Sequence, residues 1–182
     1  SFNAPLGAKA NPGLSPNPTK APWYFAGVQE LLLHFHPLFA LVILPVLMSI
    51  ILIGIPYLNY QTETAGVWFA SHRGRRLAVL AALVAVIVTP TAIILDEFVI
   101  DFVAWMPGMS AVVKNVILPT VFSLAGITVF YGLLKKKYSA TKNESIQSVF
   151  IFLMVAFIIL TITGIWFRGK GMVLMWPWEV GS

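Results

Sequence analysis

Four runs of unbroken apolar residues decide what this chain can fold into. They extend over Pro37 to Tyr57, Leu77 to Leu95, Val116 to Leu134 and Val149 to Phe167. Each is close to the ~20 residues a helix needs to cross the hydrocarbon core of a bilayer. Backbone N–H and C=O groups find no water there, so only helices and closed barrels can span it. Runs this long that do not alternate with polar residues are helical. The expected fold is therefore all-α: a multi-pass transmembrane protein with four membrane-spanning helices. Pro45, Pro90 and Pro119 lie inside three of the runs. Intramembrane prolines are tolerated where neighbouring helices or Thr side chains cover the freed carbonyls, and Thr89 and Thr120 stand beside two of them. Composition agrees, because only 10% of residues are charged where a soluble surface takes about 25%.

Charge sets the expected orientation. Arg73, Arg75 and Arg76 lie between the first two runs, and Lys135, Lys136, Lys137 and Lys142 between the last two. Basic loops stay in the cytoplasm, so both termini are expected on the outer, periplasmic side of a bacterial cytoplasmic membrane. The remaining loop then faces outward with the acids Asp96, Glu97 and Asp101. Trp23, Tyr24, Trp68, Trp105, Trp166, Trp176 and Trp178 fall at span ends, as aromatic belts do. Three regions follow: an outer loop with a short amphipathic helix (1–36), a four-helix membrane region (37–167) and an outer tail (168–182). The net charge of +5 is spread along the flanks of the apolar runs, which excludes a nucleic-acid patch. The absence of cysteine excludes disulfides, thiolate metal sites, iron–sulfur ligation and covalent haem attachment. The polar, Pro- and Gly-rich first 20 residues contain no signal-peptide pattern.

The residues before the first run carry the chemistry. Val28, Leu31, Leu32 and Phe35 recur at helical spacing within Trp23 to His36. This stretch follows Ala10-Asn11-Pro12 and Asn17-Pro18-Thr19-Lys20-Ala21-Pro22-Trp23-Tyr24-Phe25. The arrangement resembles the carboxyl-terminal half of cytochrome b, or the separate subunit IV, of cytochrome bc-type quinol-oxidising complexes. There a Pro-Glu-Trp-Tyr motif lies on the outer side before an apolar helix, and its Glu accepts a proton from quinol. Trp23 and Tyr24 match, whereas Ala21 stands in place of Pro and Pro22 in place of Glu. The span order departs too: all four apolar runs follow the motif here, and the last run and its tail have no counterpart.

The resemblance implies a membrane subunit of a respiratory or photosynthetic quinol:cytochrome c (or other acceptor) oxidoreductase, not catalytic alone. Quinol or quinone would bind at a subunit interface. The implied partners are a haem-bearing cytochrome b subunit, a Rieske iron–sulfur or cytochrome c subunit, and lipid. Trp23, Gly27, Glu30 and His34 share one face of a helix. Glu30, partly desolvated with a raised pKa, and His34 are then the candidate catalytic proton acceptors. Pro22, Trp23, Tyr24 and Gly27 are the candidate quinone-binding residues, with Gly27 small enough to admit a ring. A solvated interfacial pair is the plain alternative for Glu30 and His34. His36 is expected at a helix start, His72 at lipid headgroups, and Asp96, Glu97 and Asp101 at a proton exit, a docking surface or a solvated loop. No two of the three His could face one haem, so haem b is expected in a partner and no metal in this chain. A haem-free quinone-reactive anchor of another membrane dehydrogenase, or a purely structural subunit, are the alternatives.

Overall fold

The computed structural model describes residues 20–54, 57, 69, 71–100, 105–110 and 112–179. Ala10-Asn11-Pro12, Asn17 to Thr19, Trp68 and Asp101 lie outside them. Among the described residues the chain is helical, and no strand forms beyond one isolated bridge between Arg168 and Leu174. Helix α1 covers Ala26–His34 and α2 covers Leu44–Gly54. Helices α3, α4 and α5 cover His72–Phe98, Leu118–Tyr138 and Lys142–Ile162.

Three helical segments are long and apolar enough to cross a membrane: His72–Phe98, Leu118–Tyr138 and Lys142–Phe167. Their exposed side chains include Val79, Leu83, Ile87, Phe122 and Phe157, apolar surface that only lipid or other apolar helices can cover. The chain thus has transmembrane character. The first apolar run forms a helix too, but its apolar stretch Phe39–Ile50 is shorter than the other three.

Helices outlast the apolar runs, because an apolar run marks lipid and not the helix end. The fourteen residues between the third and fourth runs shrink to a turn at 139–141. Lys135, Lys136 and Lys137 form the last turn of α4, where cations favour the negative end of the helix dipole. Ser139 takes the left-handed conformation (φ 49°) that ends α4, with Ala140 N–H donating to Leu134 O at 3.2 Å. Thr141 and Glu144 then close a reciprocal capping box on α5.

Two prolines are accommodated by the same device. A five-residue π-helical segment, Phe39–Ile43 in one case and Val113–Ile117 in the other, ends two residues before Pro45 and Pro119. A π turn widens the backbone where the proline ring would crowd the preceding turn and where one carbonyl loses its N–H. Thr120 donates to Val116 O at 2.6 Å beside Pro119. At Pro90 the helix stays α, and the hydroxyl bonding back nearby is that of Thr91, to Ile87 O at 2.7 Å.

α3 and α5 both start at the basic end and run side by side in the same direction, forming the most extensive helix pair. The buried residues of α3 include Gly74, Ala81 and Ala85, and those of α5 are Ser145 and Ser148. Small residues let membrane helices approach closely. The serine hydroxyls donate to Thr141 O and Glu144 O of their own helix, so burial leaves them paired. Helix α1 lies across the far end of α5. Gly27 and Gly164 make that crossing tight: a Cβ on Gly27 would stand 2.5 Å from Thr161 Oγ1, and one on Gly164 2.8 Å from Ala26 O.

Candidate functional site

Where the far ends of α3 and α5 meet α1, charged side chains from three segments converge. Glu30 comes from α1, Asp96 and Glu97 from the last turn of α3, and Arg168 follows the last apolar run. A π-helical segment, Thr163–Phe167, delivers Arg168. No proline demands this one. The tail then doubles back: Met175 N–H donates to Phe167 O at 2.8 Å and Gly169 N–H to Val173 O at 3.0 Å. Gly171 turns the loop at φ +74°, a conformation suited to glycine. This loop lays buried Met172 over Arg168 and aims its carbonyl at the guanidinium. Lys20 fastens the same helix end from the amino-terminal side, donating to the carbonyls of Ile165 and Arg168.

Arg168 is 1% exposed and Glu30 0%. The guanidinium grips Glu30 from two nitrogens, Nη2 to Oε1 at 2.6 Å and Nε to Oε2 at 3.0 Å. Its Nη1 donates to Glu97 Oε2 at 2.7 Å and to Met172 O at 2.9 Å. His34 Nε2 reaches Glu30 Oε1 at 3.2 Å, and His34 Nδ1 meets Asp96 Oδ2 at 2.6 Å. Arg168 Nη2 and His34 Nε2, 3.3 Å apart, are two donors sharing the Glu30 oxygen. Among the described residues no buried side-chain polar atom lacks a partner.

The protonation states follow from these contacts. Burial favours the neutral acid at Glu30, but the hydrogen bonds and charges of His34 and Arg168 outweigh it and hold the carboxyl below its ordinary value. This reverses the raised pKa expected from desolvation alone. Burial also opposes charge on His34, yet Asp96 and Glu30 raise its pKa to about 9. At neutral pH the cluster therefore holds two cations, Arg168 and His34, among three carboxylates. It is an ion network that ties α1, α3 and the tail together, and charge-assisted bonds of this kind are the strong ones.

The residues singled out in the sequence separate into two groups. Glu30 and His34 come together as the i, i+4 pair expected, now joined by Asp96 and Glu97. Trp23 does not join their face, because α1 begins only at Ala26. Pro22, Trp23, Tyr24 and Phe25 are exposed, with Trp23 72% and Tyr24 61% exposed. The rings of Trp23 and Tyr24 pack edge to face, 5.7 Å apart. The space beside Gly27 is filled by Thr161 and Phe157, so its smallness admits a helix there and not a ring. A quinone using this segment would sit on the exposed side of Trp23 and Tyr24, with a partner chain as the other wall. Val28, Leu31, Leu32 and Phe35 are only half-buried. The face of α1 that meets the protein carries Ala26 and Gly27 with Glu30 and His34, and its larger apolar side chains are only partly covered.

The other histidines stand apart. His36 Nδ1 accepts from Leu38 N–H at 3.2 Å at a helix start, and His72 opens α3. Both nitrogens of His34 are engaged by carboxylates, Asp96 and Glu30. No group of three or more His, Cys, Asp or Glu among the described residues could hold a metal ion.

Arg168 was missed in the sequence, although a signal existed. Glu30, Asp96 and Glu97 flank apolar runs at ends expected to share one side, and buried carboxylates require a cation. Arg168 is the cation placed directly after the last run. No protein-family model matches the chain, and no curated protein or solved structure does so.

Proposed function

We propose that this chain is a non-haem membrane subunit of a quinol-oxidising electron-transfer complex, with four spans and both ends on the outer side of a bacterial cytoplasmic membrane. It would stand beside a haem-bearing cytochrome b subunit and a Rieske or cytochrome c subunit. Its exposed Trp23–Tyr24 segment would form one wall of an outer quinol site at that interface. The observation that carries the reading is the titratable relay behind this segment. Side-chain exposure rises from 0% at Glu30 through 8% at His34 to 37% at Asp96. A proton held on His34 Nδ1 has a carboxylate at 2.6 Å on the side nearer solvent. The charged imidazole would first pass its Nδ1 proton to Asp96, which releases it to solvent, and the neutral ring would then take up a proton released at quinol oxidation, with Glu30 favouring the recharged state.

The test uses the complex that co-purifies with this chain. Glu30→Gln keeps the shape and removes the charge. In complexes that keep wild-type subunit and haem content it should slow quinol oxidation by about 10²-fold, the scale of lost acid–base catalysis, because His34 no longer has Glu30 to favour its recharged state. A second reading, a purely structural subunit, is favoured by one observation: Arg168 occupies both oxygens of Glu30. Full quinol oxidation by an intact Glu30→Gln complex would select it.

The proposed orientation has its own check. Ser139 is exposed in the turn between α4 and α5. A single cysteine at Ser139 should resist a membrane-impermeant thiol reagent added to intact cells and react once the membrane is opened. Efficient labelling from outside would invert the topology.

A further inference from the structure

At the opposite end of the spans the first turns of α3 and the last turn of α4 enclose an open cavity of about 630 Å³. It is lined by His72, Arg73, Arg76, Leu77, Leu80, Lys137 and Tyr138. Three of these are permanent cations and none is an acid. Arg73 is committed to structure, donating to Ser139 O at 2.9 Å. Arg76 and Lys137 are exposed and have no carboxylate partner among the described residues. Glu144, the acid of the adjoining turn of α5, does not line the cavity and is held by Ser71 and Thr141.

The floor of this basic cavity is apolar. Leu77 is buried and Leu80 half-buried, and both belong to the start of the second apolar run. Beyond the floor, Val79, Leu83 and Leu133 present exposed apolar side chains along α3 and α4. A phosphate group held by cations, directly above an apolar lane that leads into the membrane, is the outline of one molecule. The geometry points to a specific site for an anionic diacyl phospholipid: its phosphate lies between Arg76 and Lys137 and its acyl chains pass Leu80 and follow Val79, Leu83 and Leu133 into the bilayer. Basic pockets between spanning helices bind such headgroups. A free phosphate would satisfy the cations but would leave the apolar floor and lane uncovered. The site depends on the membrane and not on the quinol reading.

Native mass spectrometry of the full chain released from nanodiscs tests this. The discs contain equal phosphatidylglycerol and phosphatidylcholine. The wild-type chain should retain phosphatidylglycerol over phosphatidylcholine by about tenfold. Arg76→Gln combined with Lys137→Gln should abolish that preference. Arg76→Lys, which keeps the charge, should preserve it, and so should Arg75→Gln, which removes a neighbouring cation that does not line the cavity. Equal loss in Arg75→Gln would mean diffuse charge attraction and would overturn the site. So would undiminished preference in the double variant. Displacement of phosphatidylglycerol by millimolar inorganic phosphate would assign the pocket to free phosphate and overturn the lipid.

Discussion

Arg168→Met should unfasten the end of the molecule where α1 crosses α5, at a cost of about 3–5 kcal/mol, the scale for breaking a buried ion pair from one side. The reason is burial, not the number of bonds. Glu30 has no exposed surface, and its carboxylate would face Met instead of two guanidinium nitrogens. Water cannot take their place without opening the contact of α1 on α5. Glu97, by contrast, is 24% exposed and can rehydrate in place, so Glu97→Gln should cost far less. Adding Glu30→Gln to Arg168→Met removes the carboxylate left with His34 as its one cation and should restore part of the loss, because that part belongs to the under-paired ion and not to the missing pair. Unfolding in mixed detergent micelles containing a denaturing surfactant measures all four proteins. If Arg168→Met unfolds within about 1 kcal/mol of wild type, the network is not what holds α1 in place.

Stability should also fall as the solution turns alkaline, with His34 responsible. Its pKa is about 9 in the folded chain against 6.5 ordinarily, so the folded state holds the proton more tightly. The stabilisation is complete below pH 6.5 and is lost as pH rises through 9. Each pH unit between the two values contributes about 1.4 kcal/mol, or about 3 kcal/mol in all. The groups facing the ring are Glu30, Asp96 and Arg168, and the two carboxylates outweigh the one cation. Glu30 has the opposite sign: its depressed pKa stabilises the fold above 4.5, and that contribution is lost as pH falls through the folded value. Stability should therefore be greatest between about pH 5 and 6.5, bounded by one group on each side. His34→Gln should remove the alkaline limb and shrink the acidic one, because His34 also holds the Glu30 carboxyl down. A wild-type profile that is flat from pH 6 to 9.5 would show that the imidazole is not held charged by Asp96 and Glu30.

Membrane character was legible because it depends on quantities that a linear sequence carries in full. The length of an apolar run must match the bilayer wherever its neighbours lie, so Leu77 to Leu95 and Val149 to Phe167 could be placed without tertiary information. The first run forms a shorter apolar helix than its length suggested. Helix ends were less legible: α4 runs on through its lysines to Tyr138, and a capping box at Thr141 starts α5 within the charged segment. The pairing of Glu30 with His34 was legible too, since an i, i+4 spacing on a helix brings two side chains together whatever surrounds them.

What surrounds them was decided by the tertiary structure alone. Arg168 is 138 residues from Glu30, and only the parallel packing of α3 on α5 brings it to the carboxylates of α1 and α3 together. That packing completes a reversal of the electrostatics: desolvation raises the Glu30 carboxyl pKa, and the hydrogen bonds and charges of His34 on the same helix and of Arg168 from the tail lower it. Gly27 shows the same division. Its lack of a side chain can be read in the sequence, but whether the gap admits a ligand or a helix depends on a crossing that no local spacing encodes. The sequence by itself determined the solvent each segment requires, through hydrophobicity and length. The tertiary structure decided the partner each buried charge finds, since ion pairing acts over a few ångströms between residues the chain keeps far apart.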